Sequence, residues 1–310
     1  MRILLPVDGS EYSICAAHFI ASRTNLLGTK PEVELFNVQH AWSAIIPELK
    51  KVAEKAETFG REAERAFERP RRLFKAKGME AAEKMVVGSP AEAIADEVKR
   101  FKPDLVVMGA RGLSDFKKLF LGSVTTGVLA RTSVPVLVIR GKDLPDHKSL
   151  KVGVAIDGSP FGEQAAHFAA DHAALFGKGA EFRVIHSVNV FEELASNYPT
   201  EVPLPEVPEE RNEAEQNLEA LLAKRPALEK EAFDKALWAI RPIFEKAGIP
   251  VKEVCLSGEA GAEIAKYARK KLDLLVMGSR GLTNLQSVIL GSVTSRVMAD
   301  GKVPLLIVPV

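Results

Sequence analysis

Short apolar runs alternate with longer amphipathic stretches along the whole chain. In the first half, residues 3–7, 33–38 and 80–87 are apolar runs, each followed by an amphipathic or charged stretch, residues 10–27, 48–77 and 90–101. The runs "DLVVMG" and "VPVLVIR" complete that half, and "KVGVAI", "EFRVIHSV", "VKEVCLS", "LDLLVMG" and "VPLLIVPV" have the same character in the second. Continuous Val, Ile and Leu without polar alternation marks strands buried on both faces, and strands separated by helix-length segments imply parallel pairing through crossovers. The pattern predicts an α/β chain of two tandem, doubly wound, parallel five-stranded sheets with helices on both faces. The punctuation agrees. Ser10 and Ser159 stand where an N-cap is needed, Ser89-Pro90 puts a cap before a first-turn proline, and Gly78 and Gly248 close the long helices.

The two halves are copies. "RILLPVDGS" at 2–10 matches "KVGVAIDGS" at 151–159, with Asp8 and Asp157 149 positions apart. "MGARGLS" at 108–114 returns as "MGSRGLT" at 277–283, but here Gly109 and Gly278 are 169 apart, so the second half holds about twenty extra residues. The extra length falls at 191–210, "FEELASNYPTEVPLPEVPEE", which has no apolar period of 2 or 3.6. An exposed surface insertion is expected there, with a lid or docking loop as the functional alternative. The expected domains are residues 1–142 and 150–310, joined by a linker at 143–149.

Composition narrows the chemistry. A chain of 310 residues, 46% of them hydrophobic, has enough apolar material for two cores. With 42 basic and 41 acidic residues it carries no field that would draw nucleic acid or an anionic membrane, so any anion must be held by local geometry. "MRILLPVDGS" turns polar too soon for a signal sequence, and no 18 consecutive residues are apolar. Cys15 and Cys255 lie in different halves without CxxC spacing, which speaks against a disulfide framework or a zinc site. A soluble cytoplasmic protein is expected.

The glycines carry the functional signal. In an open parallel sheet, ligands collect at the carboxyl ends of the strands, where loops lead into helix N-termini with free N–H groups. Gly109 and Gly112, then Gly122-Ser123-Val124-Thr125, follow one such strand; Gly278 and Gly281, then Gly291-Ser292-Val293-Thr294, follow its copy, with Arg111 and Arg280 between the paired glycines. Such a composition suits a phosphate cradle. Asp8 and Asp157 end the first strand of each half at the same sheet edge, where a carboxylate accepts hydrogen bonds from a ribose or a base, unless Asp-Gly-Ser only caps the helix.

Taken together, "PVDGS" and "AIDGS", "MGARG…LGSVT" and "MGSRG…LGSVT", and the terminal "VPVLVIR" and "VPLLIV" resemble the universal stress proteins of the nucleotide-binding branch, over nearly the whole chain. The resemblance implies a Rossmann-like fold of the adenine nucleotide alpha hydrolase type. It also implies ATP or a related adenine nucleotide, with or without Mg²⁺, across the sheet edge. By the same resemblance Asp8 meets ribose and adenine, the backbone near Val38 meets the base, and Gly109, Gly112, Gly122, Ser123, Val124 and Thr125 hold the phosphates. The second half maps onto Asp157, Ser187, Gly278, Gly281, Gly291, Ser292, Val293 and Thr294. It departs from the first in having Ala155 for Pro6, Ser187 for Val38, and no counterpart of Lys117-Lys118. The family also pairs such domains through their last strands, which a tandem chain can do internally; further association into a homodimer is left open.

A binder is favoured over an enzyme. Neither half has the G-x-x-x-x-G-K-[ST] of a P-loop, and only Asp115 and Asn284 stand near the phosphate loops to orient a nucleophile. Neither half has G-x-G-x-x-G after its first strand, against a flavin or dinucleotide. His18, His40, His167, His172 and His186 form no repeated H-x-x-x-H pair and are read as packing or surface residues rather than metal ligands. The expectation is a stress-response nucleotide-binding regulator with at most slow hydrolysis. The alternative is a scaffold with vestigial nucleotide sites.

Overall fold

The computed structural model describes residues 1–23, 31–40, 50–110, 122–140, 149–189, 208–281 and 290–309. Every apolar run forms a strand. The first half has β1 (Arg2–Pro6), β2 (Glu32–His40), β3 (Ala82–Gly88), β4 (Leu105–Ala110) and β5 (Val136–Arg140); the second has β6 (Lys151–Ala155), β7 (Glu181–Val188), β8 (Val251–Ser257), β9 (Leu274–Gly278) and β10 (Leu305–Val308). The amphipathic stretches form α1 (Glu11–Ala21), α2 (Lys50–Lys75), α3 (Pro90–Phe101), α4 (Ser123–Leu129), α5 (Pro160–Asp171), α6 (Pro208–Leu237), α7 (Arg241–Lys246), α8 (Ala260–Lys271) and α9 (Ser292–Asp300).

Within each half the strand pairs are parallel, and the halves meet through antiparallel pairing of β5 with β10, Val138 opposite Leu305 and Val136 opposite Ile307. The two expected sheets are therefore one, in the order β3-β2-β1-β4-β5-β10-β9-β6-β7-β8. The physical reason is the open edge: the last strand of each half has no successor, and an unpaired row of N–H and C=O groups on so apolar a strand is satisfied by its copy. All of β5 and all of β10 are buried.

Alternate residues feed two core layers. Ile3, Leu5, Leu137 and Ile139 pack with α1, α2, α5 and α6 through Phe19, Phe67, Phe74, Ala165 and Phe233. Leu4, Val106, Val136 and Val138 pack on the other face with α3, α4, α8 and α9 through Ile94, Val98, Val128, Ile264 and Val297. Helix α3 is pinned further by charge. Glu97 pairs with Arg100 and, at 2.6 Å, with Lys84 of β3, while Arg100 reaches Glu34 of β2 at 2.5 Å.

Local expectations fare unevenly. The Ser10 and Ser159 hydroxyls accept from the N–H groups of Ser13 and Gly162, so both cap as expected. Ser89 stands at the N-cap of α3 with extended backbone but makes no side-chain cap bond. Gly78 follows α2 at φ +70°. Gly248, at φ +66°, closes the short α7 rather than a long helix, because the second half's helical segment breaks after Leu237. Pro242 near the start of α7 has no N–H to continue the ladder, which places a boundary there. Of the insertion expected as loop, residues 191–207 lie outside the described residues, and 208–210 open α6 instead. Proline at position 208 suits a first helical turn, so the proline-rich composition that suggested loop marks a helix start at this end.

Candidate functional site

Two clefts open at the carboxyl ends of the parallel strands, one per half. The first, of about 450 Å³, is lined by Asp8, Val38, Gly109, Gly122, Ser123, Val124 and Thr125, with Phe36, Pro90, Ile94 and Met108 as apolar walls. The second, of about 340 Å³, gathers Asp157, Ser187, Gly278, Arg280, Gly281, Gly291, Ser292, Val293 and Thr294. Residues from β1, β2, β4 and α4, far apart in sequence, thus converge as the motifs predict. Arg111 and Gly112 lie outside the described residues, as do Lys117, Lys118, Asp115 and Asn284.

Each first strand delivers its aspartate through a turn. Gly9 and Gly158 take φ +76° and +77°, a left-handed conformation that glycine adopts without Cβ strain, and this bends the chain back onto the aspartate. Asp8 Oδ1 then accepts the Ser10 N–H at 3.0 Å, and Asp157 Oδ1 accepts both the N–H and the hydroxyl of Ser159 at 3.0 and 2.5 Å. The capping and ligand readings of Asp-Gly-Ser are therefore compatible: serine caps the helix while the aspartate lines the cleft. Partial withdrawal from water pushes the Asp8 carboxyl pKa up, but hydrogen bonds from the Ser10 hydroxyl and N–H and from Ser13 outweigh it and hold the pKa below its ordinary value. A depressed folded pKa contributes stability above the unfolded pKa, and that contribution is lost as pH falls through the folded one. Asp8→Asn is accordingly expected to be less stable than the parent at pH 7, with the gap closing on acidification. Urea denaturation of both proteins across that range checks it; a gap that widens in acid contradicts the assignment.

The glycines divide into two kinds. A Cβ on Gly109 would stand 2.2 Å from the carbonyl carbon and oxygen of Tyr12, and one on Gly278 would stand 2.8 Å from Cβ and O of Phe161. Both positions are glycine because α1 and α5 cross the strand ends at that closeness, so their place in the clefts comes with a packing duty that the motif does not announce. A Cβ on Gly281 would lie 2.4 Å from Asp157 Oδ2, so this loop glycine lies against the aspartate. Gly122 has open space on its Cβ side and borders the first cleft.

The helix starts are built alike. Gly122 and Gly291 are the N-caps of α4 and α9, and neither supplies a side-chain cap to the first N–H groups. Thr294, which the motif offers as a ligand hydroxyl, donates to the Gly278 carbonyl at 3.0 Å, leaving its backbone N–H for the cleft. The Ser187 hydroxyl likewise donates to the Gly258 carbonyl at 3.1 Å. Gly291 N–H closes the loop onto the Ser279 carbonyl at 2.9 Å.

His186 also lines the second cleft, and its ring packs against Phe233 with centroids 6.4 Å apart, in keeping with the packing role expected of it. Its Nδ1 lies 2.9 Å from the Ile156 carbonyl, an acceptor, so Nδ1 carries the proton. Its counterpart Asn37 makes the same bond, Nδ2 to the Val7 carbonyl at 2.7 Å. Both stand one residue before the expected base contacts Val38 and Ser187. His172 packs against Phe168 with ring centroids 4.5 Å apart. Among the described residues no group of three His, Cys, Asp or Glu side chains could hold a metal, and no helix is long and apolar enough to cross a membrane.

Comparison with known proteins agrees with this architecture. A universal stress protein from Archaeoglobus fulgidus has a similar fold, with a TM-score of 0.69 at 22% identity, over 99% of this chain and 98% of that one. A universal stress protein of Mycobacterium tuberculosis is 28% identical over 206 residues, 66% of this chain and 61% of the relative, so the chain matches less than two thirds of that protein's length. One from Mycolicibacterium smegmatis is 29% identical over 221 residues, 71% of this chain and 66% of the relative. The sequence profile of the universal stress protein family matches residues 1–140 and again 149–309. With one repeat in each half of the sheet, the chain belongs to the universal stress protein family.

Proposed function

We propose that this chain is a stress-response regulator that binds an adenine nucleotide, ATP first of all, in each cleft, with at most slow hydrolysis. The observation that carries the reading is the repeated cleft. An aspartate, a glycine near the carboxyl end of the strand before the loop, and an uncapped Gly-Ser-Val-Thr helix start line both, at the sheet edge where open α/β folds hold ligands. Apolar walls from Phe36, Val38, Ile94 and Met108 suit a flat base, Asp8 suits a ribose hydroxyl as acceptor, and the helix start suits phosphate oxygens. Mg²⁺, where present, would ride on the phosphates. In this reading the chain's own residues bind and orient the nucleotide. Domains at 1–142 and 150–310, an internal pairing that leaves homodimer formation open, and a cytoplasmic location belong to the same reading; Cys15 and Cys255, neither of them in a disulfide, are in keeping with a reducing compartment.

Mass spectrometry of small molecules released on denaturing the freshly purified protein tests the ligand class directly. In calorimetric titration ATP is expected to bind more tightly than GTP, because Asp8 and the strand-end backbone meet the base while the helix start meets only phosphate. Superimposable curves for the two nucleotides would remove the base-reading part of the proposal.

A further inference from the structure

Arg140, the last residue of β5, is only 6% exposed. Its Nε is buried without a hydrogen-bond partner. Among the described residues no carboxylate offsets its charge, and burial alone pushes its pKa down. A guanidinium in this state is costly in a protein that has nothing to put against it.

Its place in the sheet says what that something is. Pro6 pairs in register with Phe36, Leu4 with Val106, and Ala110 with Arg140. One step toward the carboxyl edge, these registers set Val38, Asp8, Ala110 and Arg140 in a row across β2, β1, β4 and β5. Met108, Ala110, Val136 and Val138 share one core layer, and strand alternation puts Arg140 on that same face. The first three members of the row line the first cleft. Arg140 stands one strand spacing beyond Ala110, about 4.8 Å, and about 14 Å from Val38. The equivalent position in the second half, one residue past β10, is Pro309, so the row ends there without a cation.

We infer that Arg140 anchors the terminal phosphates of a nucleotide in the first cleft, at the far end of a row that begins at the base side with Val38. The inference rests on the nucleotide reading above. The planar fork of a guanidinium matches two phosphate oxygens at once, and an anion meeting a buried cation is little screened by solvent. The contribution grows with phosphate number, which makes the first cleft selective for triphosphate over monophosphate, and the second cleft less so.

Calorimetric titration of the full chain and of Arg140→Met with ATP and AMP tests this, with Arg140→Lys as the variant that keeps the charge. In Arg140→Met one of the two sites is expected to lose at least tenfold in ATP affinity and less than twofold in AMP affinity, while Arg140→Lys recovers part of the loss. The ligand-free Arg140→Met protein is expected to melt at a higher temperature, since a buried charge with no carboxylate partner among the described residues is gone. An unchanged ratio of ATP to AMP affinity, or a lower melting temperature with binding intact, would overturn the assignment and make Arg140 a packing residue. Inorganic tripolyphosphate separates the two levels of the proposal. Should the parent chain bind no nucleotide, the nucleotide reading falls. Arg140 as an anion anchor then stands only if tripolyphosphate raises the melting temperature of the parent more than that of Arg140→Met, and an equal shift ends it.

Discussion

Gly109→Ala is expected to destabilise the first half severely, although it adds a single methyl group at the rim of a cleft. The new Cβ would lie 2.2 Å from both the carbonyl carbon and oxygen of Tyr12 and 2.5 Å from the Ser13 nitrogen. All three are backbone atoms of the first turn of α1, so no side-chain rotation relieves the overlap. Helix α1 is held in place from below by Ala16, Ala17, Phe19 and Ile20, none more than 1% exposed, and cannot lift without opening that layer. Overpacked cores usually lose about 1–3 kcal/mol, and rigid backbone on the far side puts this case at or above about 3 kcal/mol. For a domain of this size that is a fall of roughly 6–12 °C in Tm. Gly278→Ala meets Phe161 at 2.8–2.9 Å, with a side-chain carbon among the contacts, so its loss is expected to be the smaller of the two. Urea denaturation of both variants decides the matter: a Gly109→Ala protein within 0.5 kcal/mol of the parent, about the range of an inert surface change, would show that close helix–strand approach is not what requires glycine there.

That packing duty was invisible in the sequence for a physical reason. Glycine after a buried strand reads the same whether a ligand or a helix comes near, and Tyr12 lies 97 positions before Gly109 with no local mark of the contact. Other features were legible because their causes are local. Runs rich in Val, Ile and Leu marked the inner strands, while the outer β3 (AEKMVVG) and β8 (VKEVCLS) carry Glu and Lys and are only partly buried; the extent of α3 at Pro90–Phe101 followed from a first-turn proline and an apolar stripe. The duplicated motif located the cleft residues because two copies at one spacing cannot both be accidents of turn chemistry. Arg140 closes the apolar run "VPVLVIR" with no local mark of a ligand; only the register with Ala110 places it beside the cleft. The hydroxyl of Thr294 looked like a ligand group and serves the Gly278 carbonyl instead, a choice set by where α9 crosses β9. The merging of two sheets into one was implied by the open apolar edges of the last strands, but not the register, which pairs Leu306 with Leu137.

Gly122→Val is expected to give the opposite outcome from Gly109→Ala: a folded protein that has lost first-site binding. Nothing lies within 4 Å of a Cβ built at 122, and its φ of −53° and ψ of 140° suit any L-residue. The branched side chain therefore enters the cleft that Gly122 borders rather than the core, at the start of α4, where the proposed phosphates come closest. Charge-assisted hydrogen bonds to phosphate contribute about 1.5–3 kcal/mol each, and losing one or two weakens binding at least tenfold, since about 1.4 kcal/mol is a factor of ten. The twin substitution is not equivalent. A Cβ on Gly291 would lie 3.3 Å from the Arg280 Cα, so Gly291→Val should lose both affinity at its site and some stability of the loop that Gly291 N–H closes onto Ser279. Calorimetry and thermal melting of the two variants separate these effects. Unchanged ATP affinity in a folded Gly122→Val protein would place the phosphates elsewhere and refute the proposed role of the Gly-Ser-Val-Thr helix start.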